Sequence, residues 1–157
     1  MVAVVEPMMS NHASPRVPYT RLAAEAFKGL LATSQAVHDG SVEPALMELV
    51  FLRVSQLNGC GYCMDMHATA LREGGIEPRK LDTLPAWHES RFFDARERAA
   101  LGWAEALTRL TDGAPSQAAF DALAPHFDEK GISDLSMGIA VINAWNRLGA
   151  GLLPPLP

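Results

Sequence analysis

Stop signals for helices punctuate this chain at short intervals, and nothing between them alternates as a half-buried strand must. Gly40, the pair Asn58-Gly59, the doublet Gly74-Gly75 and Gly113 each follow a stretch with helical apolar spacing. No period-two run of Val, Ile, Thr and aromatic residues, bounded by turn residues, is present. The expected fold is therefore all-α, a single-domain helical bundle of about six helices. At 157 residues, one domain of this kind buries roughly 68–70% of the surface its unfolded chain would expose, so it can stand without staples.

Residues 1–19 read as an extended N-terminal arm, because Pro7, Pro15 and Pro18 discourage helix, and the helical domain spans 20–157. Thr20 is placed to cap a first helix that runs to about His38. Pro44 suits the first turn of a second helix, which ends near Asn58-Gly59. A third starts around Gly61 and stops at Gly74-Gly75, and a short helical turn follows Pro78. Asp94 and Glu97 have the spacing of a capping box for a helix expected to close at Gly113. Ser116 begins another helix, and Ser133 is read as the cap of the last, "SDLSMGIAVINAWNRLG", before a non-helical tail "LLPPLP". Trp87, Phe92-Phe93, Trp103 and Trp145 read as core or subunit contact.

Partners are narrowed by charge and hydropathy. A net charge of −5 with no basic run argues against nucleic acid or an anionic membrane surface as a main partner. No stretch approaches the ~18 uninterrupted apolar residues of a membrane span. The first residues, "MVAVVEPMMSNHASPRVPYT", lack a basic start and a full apolar core, so they do not read as an export signal. A cytoplasmic location is expected, and there a close pair of cysteines is more often catalytic or metal-binding than a structural crosslink.

Both cysteines fall in "NGCGYCMDMH", residues 58–67. On a helix, Cys60, Cys63 and His67 lie along one face. Cys60 stands directly behind Gly59 at the helix opening, where free amides and the helix dipole favour a thiolate. A thiolate attacks, an imidazole can take up its proton, and a neighbouring thiol can close a disulfide on the oxidised sulfur. Glu48 is the one charged residue in "ALMELVFL", residues 45–52. If the second and third helices pack antiparallel, Glu48 lies ~14 Å back from Leu57 and His67 lies ~10 Å beyond Cys60, which sets the two near one level. A buried glutamate needs a partner, and His67 offers one. Glu48, His67 and a thiol then form a proton relay.

Other readings compete. Glu48 could pair with Arg53, Arg72 or Arg147, the thiols could simply face solvent, or Cys60, Cys63, His67 and Glu48 could hold a structural zinc. A thioredoxin-like site is disfavoured because it needs a βαβ setting. His12 lies in the arm, His38 in a last helical turn, and His88 and His126 read as surface residues. Asp65 falls in the first turn of its helix, and Met64 and Met66 read as packing residues.

Taken together, Glu48, a twelve-residue step to Cys60, the CxxC pair and His67 resemble the core motif of the AhpD-like alkylhydroperoxidases within the carboxymuconolactone decarboxylase family. The segment "INAWNRLG", 142–149, is similar to that branch's terminal helix, so the resemblance spans about residues 20–149. It implies an all-helical, AhpD-like fold assembling as a homo-oligomer, a trimer or hexamer. It also implies a thiol peroxidase with no cofactor and no metal, acting on a small-molecule hydroperoxide with a separate dithiol reductant. Carried onto this chain, the resemblance makes Cys63 the thiol that meets the peroxide and Cys60 the proton donor that then forms the disulfide, while His67 and Glu48 relay the proton. Cys60, at the helix end, is expected to be the more exposed thiol, and an apolar pocket is expected from Phe51, Leu52 and Trp145. Some members carry a histidine between the cysteines, where this chain has Gly61-Tyr62. Two other functions stay open: a redox-responsive binding protein switched by the Cys60–Cys63 disulfide, and a lyase in which Glu48 and His67 do acid–base work.

Overall fold

Pro44 opens a helix that is apolar on nearly every side, and such a helix belongs in the middle of a bundle. In the computed structural model, which describes residues 14–154, that helix is α3 (Pro44–Asn58), packed against three others. They are α4 (Gly61–Glu73), α6 (Ala95–Thr108) and α8 (Glu129–Leu152). The remaining helices are α1 (Tyr19–Leu22), α2 (Ala24–His38), α5 (Pro78–Asp82) and α7 (Gln117–Asp121), with 3₁₀ turns at Leu84–Ala86 and Leu110–Asp112. There is no strand among the described residues, so the all-α expectation holds.

The core divides around α3. Val50 and Val54 face a cluster that includes Trp103, Leu123, Leu135 and Ile139. Leu49 and Leu52 face a second cluster with Leu71, Leu84, Trp87, Phe93 and Leu101. Burying a residue such as Leu135 or Leu84 contributes about 1.5–3 kcal/mol.

Several boundaries follow the punctuation and several depart from it. The capping box at Asp94 forms as expected: its side chain accepts from the Glu97 amide, and Glu97 returns the bond to the Asp94 amide. Ser116 caps α7. The expected first helix is broken at Ala23, whose φ of −118° and ψ of 44° leave the helical region, and Thr20 lies inside α1 rather than capping it. Residues 14–18 are non-helical, while residues 1–13 of the expected arm lie outside the described residues. α6 stops at Thr108, five residues before Gly113, because the chain tightens there into a 3₁₀ turn. The last helix starts one turn earlier than expected. Asp128 caps it by accepting from the Gly131 amide, and Ser133 instead donates to the Glu129 carbonyl from within the helix. α8 also runs on through Gly149 to Leu152.

Trp87 and Trp103 are buried, and Trp145 packs half-buried against the first cluster. Met64 packs as expected, but Met66 is exposed. His88 is exposed and stacked on Trp87, and His126, expected at the surface, is half-buried.

Candidate functional site

The site is built on the hairpin between α3 and α4. Gly59 turns the chain with φ of 68°, a left-handed conformation that costs most residues and suits glycine. The amide of Cys60 then donates to the Ser55 carbonyl at 3.1 Å, which fixes Cys60 at the cap of α4. Its Sγ accepts from the Cys63 amide at 3.3 Å, and the two cysteines form a disulfide with a Cα–Cα distance of 5.4 Å. Cys60, Cys63 and His67 all fall on the inner side of α4, whereas Asp65 points to solvent.

Antiparallel packing brings Glu48 to the level of His67, as the helix lengths require. The His67 Nδ1 lies 2.7 Å from Glu48 Oε2, joining α4 to α3. A carboxylate on Nδ1 fixes the proton on that nitrogen and leaves the other ring nitrogen as the free acceptor. That nitrogen, Nε2, is buried and has no hydrogen-bond partner among the described residues. Two of the three competing partners for Glu48 are used elsewhere. Arg53 joins Glu105 at 2.8 Å, and Arg147 donates to the Asn143 carbonyl at 2.8 Å. Among the described residues no three His, Cys, Asp or Glu side chains converge as a metal ion would need.

A cavity of about 620 Å³ opens over this group. Cys63, His67 and Glu48 line it together with the aromatic rings of Phe51, Tyr62 and Trp145. Two expectations need correction. Leu52 does not reach the cavity, because it faces the second core cluster on the other side of α3. Cys60 is not the exposed thiol: it is 1% exposed against 3% for Cys63, because α8 lies over it. Cys63 lines the cavity and Cys60 does not. The ring of Phe51 leans on His67 with centroids 5.2 Å apart, and Trp145 is held by a bond from its Nε1 to Ser34 Oγ at 2.8 Å. Tyr19 also lines the cavity; burial first, and then the neighbouring Tyr62, push its hydroxyl above the usual tyrosine range, so it stays protonated.

Sequence reasoning missed what holds α8 in place. Asn58 donates to Asn143 Oδ1 at 3.0 Å and to Asn146 Oδ1 at 2.9 Å, and Asn146 donates to Ser55 Oγ at 3.0 Å. Asn146 is 1% exposed, so these amides satisfy one another in the interior rather than meeting water. The available signal was the pair of asparagines three apart in residues 137–146, a stretch of the helix that is otherwise apolar.

This helical fold and its sequence have known counterparts. The sequence signature of the Carboxymuconolactone decarboxylase family matches residues 23–106, more than half of the chain, and the protein belongs to that family. It is 32% identical over 139 residues to the uncharacterized protein YdfG of Bacillus subtilis, covering 88% of this chain and 95% of the relative. A crystal structure of a protein of unknown function from Agrobacterium tumefaciens, provisionally assigned as the antioxidant defence protein AhpD, superposes with a TM-score of 0.86 at 35% identity. That likeness covers 91% of this chain and 98% of the other. A shorter match, 40% identical over 48 residues, is to the alkyl hydroperoxide reductase AhpD of a Bradyrhizobium strain, covering 31% of this chain and 26% of the relative. The protein is therefore an AhpD-like member of its family.

Proposed function

We propose that the protein is a thiol-dependent hydroperoxide reductase cycling between the Cys60/Cys63 dithiol and its disulfide. The observation that carries this reading is the joint presence of Cys63, His67 and Glu48 on one cavity, with Cys60 bonded to Cys63 behind it. In the reduced enzyme, His67 Nε2 is the acceptor for the Cys63 thiol proton, because Glu48 holds the other ring nitrogen protonated. The Cys63 thiolate attacks the outer oxygen of ROOH; the O–O bond breaks and ROH departs with the proton from His67. Cys63 is left as a sulfenic acid. Cys60, the cap of α4 with its sulfur facing the Cys63 amide, attacks the oxidised sulfur; water leaves and the disulfide forms. A separate dithiol then takes the oxidising equivalents and restores both thiols. The cytoplasm, where such a pair rests reduced, is the compartment this cycle calls for.

The test is peroxide consumption under a dithiol reductant, comparing wild type with Cys63→Ser and Cys60→Ser. Sustained turnover that vanishes in Cys63→Ser, with a trappable sulfenic acid in Cys60→Ser, is the expected result. One equivalent consumed and nothing after it, with several dithiol donors offered, would replace the enzyme by a redox-responsive binding protein. No consumption at all, in wild type as in the serine variants, would turn attention to acid–base chemistry by Glu48 and His67 on a substrate without an O–O bond.

A further inference from the structure

α8 passes the disulfide closely enough that a side chain at one position would not fit. A Cβ built on Gly149 would lie 2.6 Å from Cys60 Sγ and 3.3 Å from Cys63 Sγ. Ordinary contacts between carbon atoms stand at about 3.5–4.0 Å, and sulfur is larger than carbon. We propose that Gly149 is a positioning residue for the thiol pair: its missing side chain is the space Cys60 Sγ occupies in the disulfide, and its bare backbone closes that sulfur off from solvent. The proposal rests on the dithiol/disulfide reading of the pair.

Neither side of this contact can retreat freely, because both are tied to Ser55. The Cys60 amide donates to the Ser55 carbonyl at 3.1 Å, which sets the start of α4. On α8, Asn146 donates to Ser55 Oγ at 3.0 Å, and Gly149, three residues on, shares that face of the helix. One residue of α3 thus fixes the height of both elements. Glycine in a helix is otherwise unfavourable relative to alanine, so its place here calls for a packing reason. Gly151, two residues further on the same helix, shows the contrast: a Cβ there would meet nothing within 4 Å.

An alanine at 149 bears unequally on the two redox states. In the disulfide, Cys60 Sγ is held by its bond to Cys63 and cannot avoid the added methyl group. In the dithiol, that bond is gone and Cys60 can turn to another side-chain rotamer. Gly149→Ala therefore penalises the disulfide, and the pair becomes easier to reduce.

The experiment is the equilibrium of the Cys60–Cys63 pair in dithiothreitol buffers of graded oxidation, read by alkylation and mass, for wild type, Gly149→Ala and Gly151→Ala. The expected result is a shift of at least fivefold toward the dithiol in Gly149→Ala and none in Gly151→Ala. A purely structural role for Gly149 would lower the unfolding temperature of both redox forms alike and leave the equilibrium in place. A shift smaller than fivefold, or an equal shift in Gly151→Ala, overturns the proposal. Should Gly149→Ala fail to fold, the double variant Cys60→Ala/Gly149→Ala decides: recovery of folding identifies the sulfur as the obstacle, and a second failure overturns the proposal. The exchange with dithiothreitol needs no peroxide, so a wild type that consumes none would sink the peroxidase reading and leave this result standing.

Discussion

α3 carries two partly buried polar pairs, and they end differently. On the side of α6, Arg53 reaches Glu105 through Nε and Nη2, both at 2.8 Å, and Trp87 Nε1 donates to the same carboxylate oxygen at 2.9 Å. Burial raises the Glu105 carboxyl, but the bonds from Trp87 and Arg53 outweigh it and hold the group below its usual range. On the side of α4, Glu48 meets His67 at 2.7 Å, and there the chain of partners stops, with Nε2 buried and unpaired among the described residues. The first pair is closed within the protein. The second ends at a cavity beside a cysteine. An unsatisfied buried nitrogen costs stability, and in the proposed cycle it is the atom that takes up the Cys63 proton.

Breaking each pair should separate their roles. Glu105→Ala leaves the Arg53 guanidinium buried without its carboxylate, and a loss of about 3–5 kcal/mol is expected in denaturant unfolding. Peroxide turnover per folded molecule should survive; a selective loss of turnover with stability intact would erase the contrast. Glu48→Gln should do the reverse, reducing peroxide turnover by about a hundredfold while costing far less stability than Glu105→Ala. Away from both pairs, Asp94→Ala removes the α6 capping box and should lower stability by about 1 kcal/mol with no change in turnover. The smallest effect concerns pH. The Lys130 ammonium, helped by the Ser41 amide and hydroxyl, lowers the Asp134 carboxyl from 3.8 to about 2. A lowered carboxylate stabilises the fold above its ordinary value and loses that contribution as pH falls through its folded value. The stability difference between wild type and Asp134→Asn should thus be constant above pH 4 and shrink between about pH 4 and 2. A difference that instead changes between pH 5 and 8 would mean another group is responsible.

How much of this could be read beforehand depends on whether a signal was local. Pro44, Gly59, Pro78 and the Asp94/Glu97 pair act on their own turns, and the helices they bound stand where the residues put them. The meeting of Glu48 with His67 needed one further step, the comparison of two helix lengths across a short turn, and that also held. What failed depended on neighbours distant in sequence. Ser133 and Asp128 are both good caps, and choosing between them needed the bond from the Gly131 amide to Asp128. The segment expected to form the last helix ends at Gly149, yet α8 continues through it beside the disulfide. Cys60, at the end of its helix, is expected to be the more exposed thiol, and it is not. A helix from the other end of the chain covers it, held there by Asn58, Asn146 and Ser55.

The placement of both pairs on one helix links fold and chemistry as teeth on a single gear. Glu48 and Arg53 are five residues apart on α3, which turns them about 140° from each other around the axis. A one-residue insertion or deletion between them would rotate one tooth by about 100° relative to the other. Either Arg53 would then lose Glu105 and the core would carry a bare charge, or Glu48 would leave His67 and the imidazole would lose its orientation. Between these two positions the chain can change its letters but not its length.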